Sequence, residues 1–193
     1  MNVIIIDYGA GNIQSIQFAF QRLGINARLS NSIEEILSAD KVIFPGVGEA
    51  SQAMQMLEKS KLDLLIPTLK QDVLGICLGM QLLCKHTEEG NTKGLGVFDV
   101  DVKRFSSAVK VPHMGWNTIQ NLQSGLLKNI PEESYMYAVH SYYASIGKQT
   151  IASSQYELEF SAALKSDNFY GVQFHPEKSS KKGAQLLQNF LNL

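Results

Sequence analysis

Apolar strands that alternate with helices through the first half of the chain constrain its fold more than any other feature of the sequence. The strand-like segments lie at 2–7, 25–29, 41–44 and 73–76. Helical periodicity follows at 13–23, 49–58 and 78–85, and Ser32 with Glu35 forms a capping box for a further short helix. This alternation predicts a parallel sheet with helices on both faces.

The pattern changes from about Gly94, where strand-like segments follow one another through turns. They lie at 97–105, 109–111, 135–139, 150–153, 162–165 and 170–174, and a last helix is predicted at 179–191. Some of these segments should form an antiparallel extension of the sheet. We therefore predict a single α/β domain over residues 1–193, with a flavodoxin-like open sheet that is mainly parallel, helices on both faces and a small antiparallel extension.

Composition and charge argue against several classes of protein. The 193 residues carry a net charge of −1 and no basic block, so nucleic acid is not an expected partner. No apolar run approaches membrane-spanning length, and the N-terminus reads as a first strand and not as a signal peptide. The two cysteines, Cys77 and Cys84, do not suggest a disulfide framework, so we expect the protein in the reducing cytoplasm.

Cys77 stands where a buried strand meets a helix, in the stretch Gly75-Ile76-Cys77-Leu78-Gly79. Glycines on both sides leave room for close backbone approach or unusual dihedral angles. A side chain on such a turn stands clear of the sheet, as in the nucleophile elbow, and a helix N-terminus favours the thiolate. The pattern predicts a catalytic nucleophile, although a lone cysteine is as often a small core residue.

The stretch His175-Pro176-Glu177 closes the last predicted strand, at the sheet edge where Cys77 also emerges. A thiol nucleophile needs a nearby base, and the base needs an acidic residue that fixes its tautomer. We predict His175 as that base and Glu177 as the residue that orients it.

Acyl chemistry also needs hydrogen-bond donors for an oxyanion. The backbone N–H of Leu78, which follows the nucleophile, is one candidate. The stretch Pro45-Gly46-Val47-Gly48 ends the neighbouring strand and offers a second, from Val47 or Gly48. Because glycines flank Val47, its peptide could adopt more than one orientation.

Other residues are interpreted as structural. Gly9 and Gly11 suggest a dinucleotide site, but Gln14 stands where the fingerprint needs its third glycine, and no cofactor is expected. Cys84 lies in the predicted elbow helix and is assigned to packing. His113 and His140 have no ligand spacing between them, so no metal site is expected.

The motifs Gly75-Ile76-Cys77-Leu78-Gly79-Met80-Gln81 and His175-Pro176-Glu177 together resemble the class I glutamine amidotransferases. Further motifs resemble one branch of that family, the glutaminase subunits of imidazole glycerol phosphate synthase in histidine biosynthesis. These are Asp7-Tyr8-Gly9-Ala10-Gly11-Asn12, Pro45-Gly46-Val47-Gly48, Val111-Pro112-His113-Met114-Gly115-Trp116-Asn117, Val139-His140-Ser141-Tyr142-Tyr143 and residues 174–180. The chain departs from the family at Tyr156, which is followed by Glu157 and not by glycine. This difference lies in a predicted loop.

The resemblance implies an enzyme that hydrolyses L-glutamine to glutamate and ammonia through a thioester on Cys77. It implies that glutamine is held by Gly48, Gln81, Ser141 and Tyr142. It also implies a partner surface formed by Asn12, Trp116, Tyr137 and Lys178. The implied partner is a separate cyclase subunit with a β/α barrel fold, which receives the ammonia within a heterodimer. That subunit makes imidazole glycerol phosphate and aminoimidazole carboxamide ribotide.

Two alternatives stay open from the sequence. The first is a glutaminase that feeds another synthase, in a pyridoxal phosphate, purine or sugar amidination route. The stretches His113-Met114-Gly115-Trp116-Asn117 and Lys178-Ser179-Ser180 favour histidine biosynthesis instead. The second is a catalytically silent flavodoxin-like binding module that retains Cys77, and the intact Cys77, His175 and Glu177 argue against it.

Overall fold

A computed structural model describes residues 1–9 and 12–193, so the predicted turn at Ala10 and Gly11 lies outside the described residues. The strands are β1 (Val3–Ile6), β2 (Arg28–Ser30), β3 (Lys41–Phe44), β4 (Asp72–Ile76), β5 (Cys84–Thr87), β6 (Thr92–Lys93), β7 (Phe98–Arg104), β8 (His113–Ile119), β9 (Ser134–His140), β10 (Tyr142–Ala144), β11 (Thr150–Gln155), β12 (Glu159–Ser166) and β13 (Phe169–Val172). The helices are α1 (Ile13–Arg22), α2 (Ile33–Leu37), α3 (Ala50–Ser60), α4 (Leu62–Leu65), α5 (Leu78–Leu83) and α6 (Ser180–Leu191).

The parallel part of the main sheet has the strand order β2-β1-β3-β4-β13, with every neighbouring pair parallel. This is the strand order of flavodoxin-like folds, and it confirms the predicted fold class. The last strand, β13, returns from the far end of the chain to lie beside β4, the strand that leads into Cys77.

The alternation of side chains along each strand builds two cores, one on each face of the sheet. In β1, Val3 and Ile5 pack towards α1 and α6, whereas Ile4 and Ile6 pack towards α2 and α3. Because both faces are covered by helices, β1 is apolar throughout, and in β3 and β4 only the first residue, Lys41 or Asp72, is charged. The predicted helices on both faces are therefore confirmed.

Beyond β13 the sheet continues with β12, β10, β7, β5 and β6, and β11 pairs with β12. Most of these pairs are antiparallel, as the sequence predicted, although β5 and β7 run parallel. A separate antiparallel ribbon is formed by β8 and β9. Its register places Trp116 opposite Tyr137 and His113 opposite His140.

Two local predictions were wrong. The elbow helix ends at Leu83, and Cys84 begins strand β5, because residues 84–87 pair with β7. Residues 109–111 form no strand, whereas 113–119 do, although Gly115 and Asn117 weaken the strand pattern there.

Among the described residues, no helix is long and apolar enough to cross a membrane.

Candidate active site

The carboxyl ends of three neighbouring parallel strands bring the predicted catalytic segments to one edge of the sheet. Val172 lies beside Ile76, and Phe44 lies beside Gly75, so the chain leaves β13, β4 and β3 at nearly the same level. A cavity of about 360 Å³ opens at this edge. It is lined by Val47, Gly48, Cys77, Leu78, Gln81, Glu89, Pro112, Val139, His140, Ser141, Tyr142 and His175.

Cys77 occupies a strained backbone position at the turn between β4 and α5. Its φ of 54° and ψ of −111° lie in a region that non-glycine residues rarely adopt. A Cβ atom on Gly79 would lie 2.0 Å from the carbonyl oxygen of Phe44, and one on Gly75 would lie 2.9 Å from the backbone nitrogen of Met80. The flanking glycines are therefore required by close backbone approach, as expected, and the turn aims the thiol into the cavity.

His175 and Glu177 form a buried pair beside the cavity. The turn that contains Pro176 brings the His175 Nδ1 atom to 2.8 Å from Glu177 Oε1, and both side chains are almost fully buried. Since the carboxylate accepts, Nδ1 carries the proton, and Nε2 has no hydrogen-bond partner within the described residues. Burial opposes protonation of the ring, but the nearby Cys77 and the hydrogen-bonded Glu177 outweigh it and raise the pKa of His175 to about 10.

The loop after β3 packs directly against the elbow. The Tyr8 hydroxyl donates a hydrogen bond of 2.9 Å to the carbonyl oxygen of Pro45, and burial, with a smaller effect of Cys77, raises the pKa of Tyr8. A Cβ atom on Gly46 would lie 2.6 Å from the backbone nitrogen of Gly79, whereas Gly48 has open space and a φ of +99°. Close packing therefore explains the glycine at position 46. The expectation that both flanking glycines let the Val47 peptide change orientation is corrected for Gly46.

The two residues predicted as oxyanion donors, Leu78 and Val47, both line the cavity. Leu78 is the first residue of α5, and the N–H groups of a first helical turn have no partner inside their helix. Val47 borders the same cavity from the loop after β3. The four residues expected to hold glutamine, Gly48, Gln81, Ser141 and Tyr142, all line this cavity.

The side chains of Gln81 and Gln173 connect helix α5 to the Cys77 sulfur. The Gln81 Nε2 group donates to the carbonyl oxygen of Tyr142 and to Gln173 Oε1, both at 2.9 Å. Gln173 Nε2 in turn lies 3.7 Å from the Cys77 sulfur. Gln173 was missed by the sequence reasoning. The sequence shows only a polar residue directly after an apolar strand, and the structure buries its side chain fully.

Glu89 is a second residue that the sequence reasoning missed. Glu89 lines the cavity, and its carboxylate accepts a hydrogen bond of 3.0 Å from the Ala50 backbone nitrogen. Partial burial, and to a lesser extent the charge of Glu49, raises the pKa of Glu89. Among the described residues it is the one carboxylate that lines the cavity, so it can attract a cationic group of a ligand there.

Three of the four residues expected at a partner surface lie together. The rings of Trp116 and Tyr137 are 6.0 Å apart, and Lys178 Nζ lies 5.9 Å from the centre of the Tyr137 ring. The Tyr137 carbonyl oxygen also accepts a hydrogen bond of 2.8 Å from the His175 backbone nitrogen, which connects these three residues to His175. Asn12 precedes α1, at the carboxyl end of β1.

Of the residues interpreted as structural, Cys84 is isolated in the core, whereas His113 and His140 contact each other. Cys84 is fully buried, and burial, with a smaller effect of Asp101, raises the pKa of its thiol, in keeping with packing. Cys77 and Cys84 are both free thiols. His113 and His140, which have no spacing signal in the sequence, are in direct contact, with Nδ1 of the first 3.0 Å from Nε2 of the second. Within residues 1–9 and 12–193, no group of side chains suits a metal ion.

Comparison with known proteins gives a consistent result. Residues 4–193 match the family described as glutamine amidotransferase class-I. A relative from Bacteroides fragilis, named imidazole glycerol phosphate synthase subunit HisH, is 52% identical over 100% of both chains. One of the same name, numbered HisH 1, from Vibrio vulnificus is 47% identical over 99% of this chain and 98% of its own. The crystal structure of a glutamine amidotransferase matches with a TM-score of 0.76 at 17% identity, over 99% of this chain and 98% of that one, and supports the fold alone.

Proposed function

Because the chain belongs to the class I glutamine amidotransferases, we propose that it is the glutaminase subunit of an imidazole glycerol phosphate synthase. The observation that carries this proposal is the strained elbow of Cys77 in a cavity bordered by His175, whose far nitrogen is hydrogen-bonded to Glu177. This arrangement supplies a nucleophile, a base and an orienting acid for acyl transfer.

In the first half of the reaction, Cys77 attacks the carbon of the glutamine side-chain amide. The thiol proton moves to His175 Nε2, and the imidazolium is stabilised by the buried Glu177 carboxylate. The tetrahedral intermediate collapses as the C–N bond breaks, and His175 returns the proton to the leaving nitrogen. The products of this half are ammonia and a glutamyl thioester on Cys77.

In the second half, water attacks the thioester. His175 takes a proton from the water, the C–S bond breaks, and the proton returns to the thiolate as glutamate leaves. Both halves pass through an oxyanion, for which we propose the backbone N–H groups of Leu78 and Val47 as donors. Loss of one such donor typically costs about 3 kcal/mol of transition-state stabilisation.

Glutamine binding is assigned to residues that border the same cavity. Gly48, Gln81, Ser141 and Tyr142 provide backbone and side-chain polar groups for the amide and the carboxylate. We add Glu89 to them, because its carboxylate complements the α-ammonium group of an amino acid. The cavity of about 360 Å³ falls within the range of small-molecule sites, roughly 300–1,000 Å³.

The ammonia produced here would be used by a cyclase subunit. We propose that this partner is a β/α barrel that contacts Asn12, Trp116, Tyr137 and Lys178 in a heterodimer. It would convert the ammonia and its nucleotide substrate into imidazole glycerol phosphate and aminoimidazole carboxamide ribotide. On this proposal the whole chain acts as one amidotransferase domain in the cytoplasm.

The proposal is tested by glutamine hydrolysis and cyclase turnover in the presence and absence of the cognate cyclase. Glutamate formation that requires Cys77, and a glutamine-dependent cyclase product, are expected. In Cys77→Ala the glutamine-dependent product should disappear while the product made from added ammonium salts remains. Ammonia delivery to a different synthase, with none to this cyclase, would favour the pyridoxal phosphate, purine or sugar amidination alternatives.

A further inference from the structure

His113 and His140 form a buried pair on the inner face of the ribbon of β8 and β9. They are directly opposite in the strand register, and their exposed fractions are 5% and 6%. The ring of Tyr156 stacks on His113 at a centroid distance of 4.1 Å, and Phe105 packs against both imidazoles. Aromatic packing of this kind would suit two apolar residues equally well, so the two ring nitrogens that meet require a separate explanation.

The hydrogen bonds of the pair run in one direction. His140 Nδ1 lies 2.7 Å from the carbonyl oxygen of Tyr142, which can only accept, so Nδ1 carries the proton. His140 Nε2 is then an acceptor, and the His113 Nδ1–H group donates a hydrogen bond to it at 3.0 Å. His113 Nε2 is left to accept from the Asn117 side-chain amide at 3.3 Å. Both imidazoles are thereby fixed as neutral tautomers.

The burial of the two rings supports the same assignment. Burial, with smaller effects of the nearby His113 and His175, lowers the pKa of His140 to about 3 despite the hydrogen bond to Tyr142. Burial also lowers the pKa of His113. A neutral His140 keeps Nε2 free to accept, whereas an imidazolium would place two N–H groups against each other.

The chain of hydrogen bonds ends in the cavity. The Tyr142 carbonyl oxygen that accepts from His140 also accepts from Gln81 Nε2, at 2.9 Å. Gln81 reaches Gln173, and Gln173 reaches the Cys77 sulfur. His140, Tyr142, Gln81 and Cys77 all line the cavity, whereas His113 lies behind His140 and does not line it.

We propose that the neutral His113–His140 pair is a positioning element of the glutamine site, which holds the Tyr142 carbonyl and, through it, the Gln81 side chain in place for substrate. This inference rests on the proposed glutaminase function and deepens it. Neither imidazole takes a proton in the reaction, and neither is a catalytic residue. The pair also links this site to Tyr156, at the position where the chain departs from the family pattern.

The test compares His113→Phe with His113→Asn in the assembled synthase. Phenylalanine keeps an aromatic ring but removes the donor, whereas the asparagine amide can restore an N–H near the position of Nδ1. We expect His113→Phe to raise the KM for glutamine by about tenfold, in line with one or two lost hydrogen bonds, with kcat changed by less than about threefold. His113→Asn should recover most of this loss.

Two chemical probes separate positioning from general disruption. Iodoacetamide needs only the Cys77 thiol, whereas a diazo ketone analogue of glutamine must also occupy the substrate site. His113→Phe should slow inactivation by the analogue about tenfold relative to inactivation by iodoacetamide. Ammonium-dependent cyclase turnover reports an intact complex and should not change.

Equal inactivation ratios and an unchanged glutamine KM in folded His113→Phe would overturn the inference. A wild-type complex without glutaminase activity would instead refute the proposed function. If His113→Phe fails to fold, nitrogen chemical shifts of the histidines in the wild-type complex decide the matter. A neutral His140 protonated at Nδ1 at pH 7 is expected, and an imidazolium or the other tautomer would contradict the proposal.

Discussion

Gly79 lies so close to Phe44 that a Cβ atom on the glycine would be 2.0 Å from the phenylalanine carbonyl oxygen. This contact joins the first turn of α5 to the end of β3, and it brings the two segments expected to form the oxyanion site together. The backbone atoms on both sides belong to regular elements, so neither can move freely to admit a side chain.

Gly79→Ala should therefore destabilise the fold. We expect a loss of about 3 kcal/mol in the free energy of unfolding, at the upper end of the cost of overpacking. Urea unfolding would measure it. Gly125→Ala is the matched control, because its nearest neighbour is the flexible end of the Leu193 side chain at 3.1 Å, and it should cost much less. Equal losses in the two variants would contradict the proposed close packing.

Glu177→Gln should separate orientation of His175 from its charge. The amide fills the same space and can still hydrogen-bond the ring, but it cannot stabilise the imidazolium, so kcat for glutamine hydrolysis should fall at least about a hundredfold. The pKa of His175 should fall as well, because the carboxylate that raises it is gone. Steady-state glutamate formation would measure kcat. An unchanged kcat would assign the orienting role to another group.

Glu89→Gln tests the predicted contact with the α-ammonium group of glutamine. A hydrogen bond to a charged group contributes about 1.5–3 kcal/mol, so the KM for glutamine should rise at least about tenfold with little change in kcat. The amide introduced at position 89 retains an oxygen that can accept from the Ala50 N–H, so the local structure should be kept. Glu88→Gln is the control, because Glu88 is exposed and does not line the cavity. The same KM in both variants would remove Glu89 from the site.

The stability of the protein should fall in mild acid because of His140. Its folded-state pKa is about 3, below the value of about 6.5 in an unfolded chain. As the pH falls below about 6.5, the unfolded state binds a proton that the folded state does not, so stability is lost until the pH reaches about 3. Between pH 7 and pH 5 this single group costs about 2 kcal/mol.

Urea unfolding at the two pH values measures this effect. His140→Asn removes the group, so the variant should lose about 2 kcal/mol less than the wild type between pH 7 and pH 5. His113 and His175 titrate in both proteins and are common to the comparison. Equal losses in the two proteins would mean that His140 is not held neutral in the folded state.

The sequence predicted the main features of the fold because they depend on local patterns. Apolar strands followed by amphipathic helices specify a parallel sheet, and parallel strands bring their carboxyl ends to one edge. The pattern therefore predicts Cys77 and His175 at the same edge, and β4 and β13 are neighbours in the structure.

Contacts that depend on long-range register could not be predicted. His113 meets His140 only because β8 and β9 pair in one register across 27 residues, and no spacing in the sequence reports that register. Glu89 lines the cavity and Gln173 reaches the Cys77 sulfur through the tertiary fold, and no local pattern in the sequence reports either contact. The helix after Cys77 is shorter than predicted, because the residues that follow Leu83 pair with β7 despite their helical periodicity.

The most direct measurement of the central claim is chemical trapping of the covalent intermediate. Acid quenching of the assembled synthase with isotopically labelled glutamine, followed by peptide mass analysis, should find a glutamyl group on the peptide that contains Cys77. The adduct should be absent in Cys77→Ala, which should also form no glutamate from glutamine. Glutamine hydrolysis at the wild-type rate in Cys77→Ala, or a glutamyl group on a different residue, would contradict the assignment of Cys77 as the nucleophile.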